Sequence, residues 1–336
     1  MTGAASIGAD TRNRATERLA ADAAGIARAG ALLRAGRLVA LPTETVYGLG
    51  ADALDPSAIA TLYGAKERPR FNPLIAHLPD ADAALREGRF DAAARRLAEA
   101  FWPGPLTLVV PLAPGSRIAD LARAGLPSVA LRVPSHPLAR ALLAEAGRPV
   151  VAPSANRSGR ISPTSADHVL ADLDGRIDAV LDGGATEIGI ESTIVACLDD
   201  RVRLLRPGGV PRDAIEAVLG IPLAGAGPGA PDAPLAPGLL ASHYAPRAAV
   251  RLDARDIRPG EAALLFGGSL PGLDDAASAL DLSPGADLAE AAANLFAFLR
   301  RLDAGGAPTI AVAPIPNRGL GEGIRDRLER AAVERT

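Results

Sequence analysis

At 336 residues, 48% of them apolar, the chain can bury two cores, and its net charge of −3 excludes a broadly basic nucleic-acid binder. Cys197 is the only cysteine, which excludes an internal disulfide and fits a reducing, cytoplasmic compartment. No apolar run reaches the length of a membrane span and the N-terminus has no apolar signal core, so neither a membrane partner nor secretion is expected.

Residues 1–16 are polar and predict a disordered lead. From Thr16 to Gly36 alanine, leucine and arginine recur at helical spacing, with Gly36 as a C-cap. RLVALP then reads as a strand and TETVYGLGADALD as a polar, glycine-containing loop. Next come a helix from Pro56 to Ala65, the strand PLIAHL, a helix from Ala92 to Phe101 and the strand LTLVVPL. The strand SVALRV, a helix from Pro137 to Ala146, the strand PVVAP and a helix from Ser165 to Leu173 follow. Strands AVLDG, STIVACL and VRLLRP and a short helix from Pro211 close this unit, 17–219. Mixing of this kind predicts an α/β fold with a mixed open sheet. Residues 220–246 are dense in Pro, Gly and Ala and read as a linker. Beyond it, strands AAVRL, AALLF and TIAVAP and helices 288–302 and 321–332 predict a smaller α/β unit, 247–336.

Polar groups gather at strand ends and in the loops after them, the usual ligand edge of an α/β sheet. They include Thr43, Glu44 and Thr45; Lys66, Arg68, Asn72 and His77; Ser128 and Arg132; Ser154, Asn156 and Ser162; Ser192 and Thr193; and Arg206. Taken singly, Arg132 or Arg206 reads as a solvated surface residue and Ser154 as a turn former. Taken together they are hydroxyls, amides and cations without a matching set of acids, as phosphate and carboxylate ligands require. Lys66 stands out because it is the only lysine, all other basic residues being arginine. A position that keeps an ammonium wants a compact point charge rather than a planar fork. There is no G-x-S-x-G elbow, no phosphate-binding G-x-x-x-x-G-K-[ST] loop and no zinc-like spacing among the four histidines, which disfavours a serine hydrolase, a P-loop ATPase and a zinc enzyme.

The segments LPTETVYGLGADA, KERP with NPLIAH, PSANRSG, ESTIV and LLRPG, in this order, resemble the YrdC-type threonylcarbamoyl-AMP synthases. HYAP after a linker resembles the two-domain form of that family. The resemblance implies a YrdC-like twisted open sheet, 17–219, followed by a Rossmann-like domain. It implies a reaction of L-threonine, bicarbonate and ATP, with magnesium on the nucleotide, giving threonylcarbamoyl-AMP and pyrophosphate. A downstream complex would transfer the group to tRNA adenosine next to the anticodon, with at most weak tRNA contact by this chain. Carried over position by position, Thr45, His77, Arg132, the backbone at Ala152 and Ser192 would contact threonine. Arg68, Asn72, Ser128, Ser154, Ser162 and Arg206 would contact ATP, and Tyr244 would belong to a linker that closes over the nucleotide. Lys66, Arg68, Ser154 and Asn156 match the catalytic signature; the metal ligands are left open.

Two departures stand out. Glu67 occupies a position where the family usually has glycine, and must point away or offset the local charge. The lysine usual just before HYAP is absent, leaving Arg247 as the nearest replacement. The alternatives are an RNA-binding or ribosome-associated module, disfavoured by acidity and few aromatic residues, and a carbamoyltransferase of hydrogenase maturation, disfavoured by length and cysteine count.

Overall fold

The computed structural model describes residues 15–199, 201–225 and 244–333. The expected lead, up to residue 14, and most of the linker and expected lid, 226–243, lie outside the described residues. The first unit begins β1 (Glu17–Leu19), α1 (Ala23–Arg34), β2 (Val39–Leu41), β3 (Gly48–Asp52), α2 (Pro56–Lys66), β4 (Ile75–His77), α3 (Ala81–Glu87) and α4 (Ala92–Phe101). It continues β5 (Leu106–Pro111), β6 (Ser128–Arg132), α5 (Pro137–Ala146), β7 (Val150–Val151), α6 (Ala166–Leu173), β8 (Ala179–Leu181), β9 (Thr193–Cys197), β10 (Val202–Arg206) and α7 (Arg212–Leu219). These strands form one mixed sheet in the order β1-β8-β2-β3-β7-β4-β6-β5-β9-β10. The second unit holds β11 (Ala249–Arg251), β12 (Ala262–Leu265), β13 (Ser278–Asp281), α8 (Leu288–Ala304), β14 (Thr309–Val312) and α9 (Leu320–Ala331). Its four strands are all parallel, in the order β11-β14-β12-β13.

Local chemistry explains the helices that the sequence marked most clearly. The Asp91 carboxylate caps α4 by accepting from the Ala94 N–H at 2.7 Å, a contact of about 1 kcal/mol. In α5, Pro137 starts the helix and Gly147 ends it in the left-handed conformation. The segment from Glu17 to Leu19 departs from the helical expectation. It is a strand, parallel to β8 with Leu19 opposite Leu181, and the helix starts only after the Asp22 cap. The supposed loop after Pro42 also contains a strand. β3 is buried along its whole length between β2 and β7. A Cβ on Gly50 would lie 2.9 Å from the Val39 carbonyl oxygen, so glycine here permits close pairing rather than marking a turn.

Alternation along the central strands sorts the side chains between two faces. Leu106, Leu108 and Val110 of β5, Val129 and Leu131 of β6, and Val195 of β9 enter the main core under the helices. The opposite parity puts Ile75, Val109, Ala130 and Ile194 on the other face. His77 shares parity with Ile75, Arg132 with Ala130, and Thr107 with Val109. Pairing sets His77 and Thr107 on either side of Arg132. A slip of one residue would bury the cations among leucines and turn the leucines outward, so the apolar core fixes the site's register.

The two units share a core. Val46, Ile161 and Ile190 of the first pack with Tyr244, Leu295, Phe296 and Ile324. Arginine–carboxylate pairs also cross the junction: Arg212 to Glu322 at 2.6 Å and Arg300 to Asp172 at 2.7 Å.

Candidate active site

One cavity on the polar face of the sheet is lined by Arg68, His77, Arg132, Ala152, Ser154, Glu191, Ser192, Arg206 and Tyr244, with Val46, Ile75 and Pro153. Eight of the fourteen residues that the resemblance assigns to the site therefore meet there. Thr45, Ser162, Asn72, Asn156, Lys66 and Ser128 do not line it. The first five each contact a lining residue, Asn156 through its N–H to the Ser154 carbonyl at 3.0 Å, and Ser128 lies four residues before Arg132 on the same face of β6.

Arg132 is 4% exposed, and its Nη2 lies 2.8 Å from Glu44 Oε1 and donates to Thr45 Oγ1 at 2.9 Å. Thr45 Oγ1 is in turn 2.8 Å from Thr43 Oγ1. Among the described residues nothing accepts from Arg132 Nε, which is buried. Burial raises the Glu44 carboxyl, but the charge and hydrogen bond of Arg132 together with backbone donors outweigh it, and the carboxyl stays below its ordinary value. His77 is 2% exposed, and its Nδ1 lies 3.1 Å from the Ile75 carbonyl. A carbonyl can only accept, so Nδ1 carries the proton and Nε2 of the neutral ring is an acceptor. Burial, with Arg132 adding to it, lowers the imidazole pKa to about 3.

That shift predicts acid sensitivity. The unfolded ring takes up a proton below pH 6.5, whereas the folded ring resists until about 3. Stability should therefore be independent of this ring above 6.5 and fall as pH drops below it. His168, lowered to about 4 chiefly by burial, acts in the same direction. Most carboxylates stay ionised above about pH 4.5, so loss between 6.5 and 4.5 belongs mainly to histidines. Urea midpoints of the parent and of His77→Gln should converge as pH falls through this window; parallel curves would refute the assignment.

Elsewhere along the cavity, Arg68 Nη2 donates to the carbonyls of Asn72 (3.4 Å) and Pro73 (3.2 Å). Arg206 donates through Nε and Nη2 to the Ser192 carbonyl at 3.2 and 2.9 Å. Ser192 Oγ is 2.8 Å from Thr107 Oγ1. Burial lowers the Arg68 pKa to about 10, which leaves the guanidinium charged at neutral pH. Arg68 Nε, both amide atoms of Asn72 and Asn156 Oδ1 are buried without partners among the described residues. Buried polar atoms are normally matched, so this cluster of unmatched donors and acceptors points to a polar ligand.

Lys66 takes a different position from a phosphate-facing ammonium. It is 1% exposed, and Nζ donates at 2.5 Å to the carbonyls of both Ser154 and Asn156. Burial, reinforced by Arg68, drives its pKa well below the ordinary value, and Asp172 opposes that shift. The lone lysine thus braces the S-x-N loop, whose Ser154 reaches the cavity. Glu67 points away, as its position demanded. It ends α2 at φ 54° and pairs with Arg157 (2.5 Å) and Arg176 (2.9 Å).

Glu44, Arg247 and Tyr244 were singled out in the sequence, but what they pair with was not. The site does contain acids: Glu44 neutralises Arg132, and Glu191 lines the cavity while pairing with Arg327 at 2.9 Å. Arg327 comes from α9, and only folding brings it near Glu191. Arg247 does not replace the missing lysine: it pairs with Asp303 at 3.4 Å and lines a separate cavity with Arg160 and Arg300. Tyr244 is both a cavity wall and a core residue, stacked on Phe296 with ring centroids 5.4 Å apart. Cys197 is a buried core thiol, its pKa pushed up to about 12 by burial.

Residues 31–208 match the family described as "Telomere recombination", Sua5/YciO/YrdC, and residues 210–333 match "Threonylcarbamoyl-AMP synthase, C-terminal domain". The chain is 41% identical over 332 residues to the threonylcarbamoyl-AMP synthase of Bacillus subtilis, covering 94% of this chain and 95% of that one. It is 40% identical over 322 residues to that of Pyrococcus abyssi, covering 90% and 93%. The crystal structure of P. abyssi Sua5 complexed with L-threonine superposes with a TM-score of 0.85 at 36% identity, over 95% of this chain and 98% of that one. Fold, motif order and both domains agree, and the chain belongs to the Sua5/YrdC family of threonylcarbamoyl-AMP synthases, in its two-domain form.

Proposed function

We propose that the chain converts L-threonine, bicarbonate and ATP into threonylcarbamoyl-AMP and pyrophosphate. The observation that carries this reading is the convergence of Arg68, Arg132 and Arg206 on one cavity, with the nearby carboxylates Glu44 and Glu191 already held in ion pairs. The net surplus is cationic, as a site for a carboxylate and a triphosphate must be.

The chemistry joins two anions. The threonine amine adds to carbon dioxide derived from bicarbonate and loses a proton, giving a carbamate. A carbamate oxygen then attacks the α-phosphorus, forming the O–P bond of the mixed anhydride as the bond to pyrophosphate breaks. Arg132, with Thr45 beside it, holds the threonine carboxylate. The neutral His77 ring offers an acceptor toward the amine end. Arg68 and Arg206 neutralise the phosphates, and Ser154 donates from the loop that Lys66 braces. Among the described residues no three His, Cys, Asp or Glu side chains gather as a metal cage. The donor set fits magnesium as an ion carried by the triphosphate, with few protein oxygens, the usual arrangement for this cation. It would screen charge between phosphate oxygens. The labile product would pass to a tRNA-modifying transferase, in the cytoplasm.

Mass spectrometry of the products should show a threonylcarbamoyl adenylate only when threonine, bicarbonate and ATP are all present. ATP consumption that is equal with and without threonine would sink this reading.

A further inference from the structure

Among the described residues, the bulkiest fully buried side chain belongs to an arginine of the C-terminal unit. Arg327 on α9 is 0% exposed. Its Nε donates to Glu191 Oε2 at 2.9 Å, and Nη1 reaches the Pro207 carbonyl, the Gly323 carbonyl at 3.4 Å and Asp326 at 3.1 Å. Its guanidinium sits 5.7 Å from the centre of the Tyr244 ring. A buried guanidinium is costly to desolvate and is retained only where its charge is matched. Arg327 does not itself line the cavity, but Glu191 and Tyr244 both do.

Glu191 is placed where it could do harm. One oxygen accepts from Ser162 Oγ at 2.5 Å, and the carboxylate shares the cavity with Arg206. Arg206 forms no ion pair among the described residues; its hydrogen bonds go to Ser192. An unpaired carboxylate in this place would repel a triphosphate and capture Arg206. The backbone holds Arg327 against that outcome. A Cβ on Gly208 would lie 2.3 Å from the Glu191 carbonyl oxygen, so the turn after Arg206 lies directly on the 191–193 segment. A Cβ on Gly323 would meet the Gly208 Cα at 3.3 Å, and Arg327 follows one helical turn later.

We infer that Arg327 is a positioning residue supplied by the C-terminal domain: it holds Glu191 as its own partner and leaves Arg206 for the phosphates of ATP. This rests on the nucleotide chemistry proposed above. It gives the C-terminal domain an electrostatic task in a site to which it contributes no cation directly. Threonine, whose carboxylate Arg132 would hold with Thr45 beside it, should feel little of it.

The test is calorimetric titration of the full chain with magnesium ATP and, separately, with L-threonine. Arg327→Met should weaken ATP by about tenfold to a hundredfold, the range expected for mispairing one charged contact. Threonine affinity should change by less than about threefold, a small fraction of a charged contact. Arg327→Met combined with Glu191→Gln removes the carboxylate that would capture Arg206 and should recover most of the ATP affinity. A purely structural role would weaken both ligands, lower the melting temperature and leave the double variant as weak as the single one. If Arg327→Met does not fold, the comparison is Arg327→Lys with and without Glu191→Gln, with the same rescue expected. Tight ATP binding by the unaltered chain together with equal binding by the folded Arg327 variant overturns this inference alone. No ATP binding by the unaltered chain overturns the functional reading with it.

Discussion

Lys66→Ala is expected to lower turnover by about a hundredfold or more, the loss typical when a catalytic loop shifts by about an ångström. The ammonium is the common donor to the Ser154 and Asn156 carbonyls, and the Lys66 carbonyl accepts from the Ser158 N–H at 2.8 Å. Removing the side chain leaves the buried Asn156 carbonyl unmatched, at about 1–3 kcal/mol, leaves the Ser154 carbonyl with only the Asn156 N–H, and frees the loop that carries both. Lys66→Arg should not restore activity. A planar guanidinium is wider than the ammonium, and a site 1% exposed has no room for it without moving the loop. Steady-state kinetics and thermal melts of the three proteins decide the matter. Wild-type turnover in Lys66→Arg would show that any cation suffices there and refute this role for the lone lysine.

That residue shows how far sequence reasoning reached. A single lysine in an arginine-rich chain marked the position as special, and Lys66 places a compact donor between two carbonyls. Its target differed: backbone carbonyls of its own chain rather than a phosphate. The same division holds across the fold. Helices with a cap and a clear apolar stripe, such as α4 and α5, could be read directly. β3 was obscured because Gly48 and Gly50, residues that usually break strands, here let neighbouring strands approach. α3 and β13 went unread because they are short and largely polar or half-exposed, so no period develops. In the site, residues on strand ends and motif loops were legible. The charge balance was not, because it rests on two buried pairs, Arg132 with Glu44 and Arg327 with Glu191, the second 136 residues apart and made only when the second domain docks.

Arg132→Ala should have an effect on folding as well as on threonine, and the two can be separated. Arg132 and Glu44 are both nearly inaccessible, with side chains 5% and 3% exposed, and lie 2.8 Å apart. Deleting one partner of a buried pair leaves the other charge uncompensated and typically costs about 3–5 kcal/mol of stability. At neutral pH, Glu44, whose carboxyl Arg132 holds below its ordinary value, would have to take up a proton or draw water into the site. Arg132→Ala alone therefore reports on folding first. Arg132→Met combined with Glu44→Gln removes both charges and keeps the volume, so the fold should recover most of that loss. Threonine binding should not recover, because no fork remains for the carboxylate: about 2–4 kcal/mol of threonine affinity is at stake, with a smaller effect on ATP. Denaturation midpoints establish whether the double variant is folded, and calorimetry with each substrate then isolates the ligand contact. Threonine binding at wild-type strength in a folded double variant would remove Arg132 from the threonine site. Equal losses for threonine and ATP would instead make the Arg132–Glu44 pair a scaffold for the whole cavity.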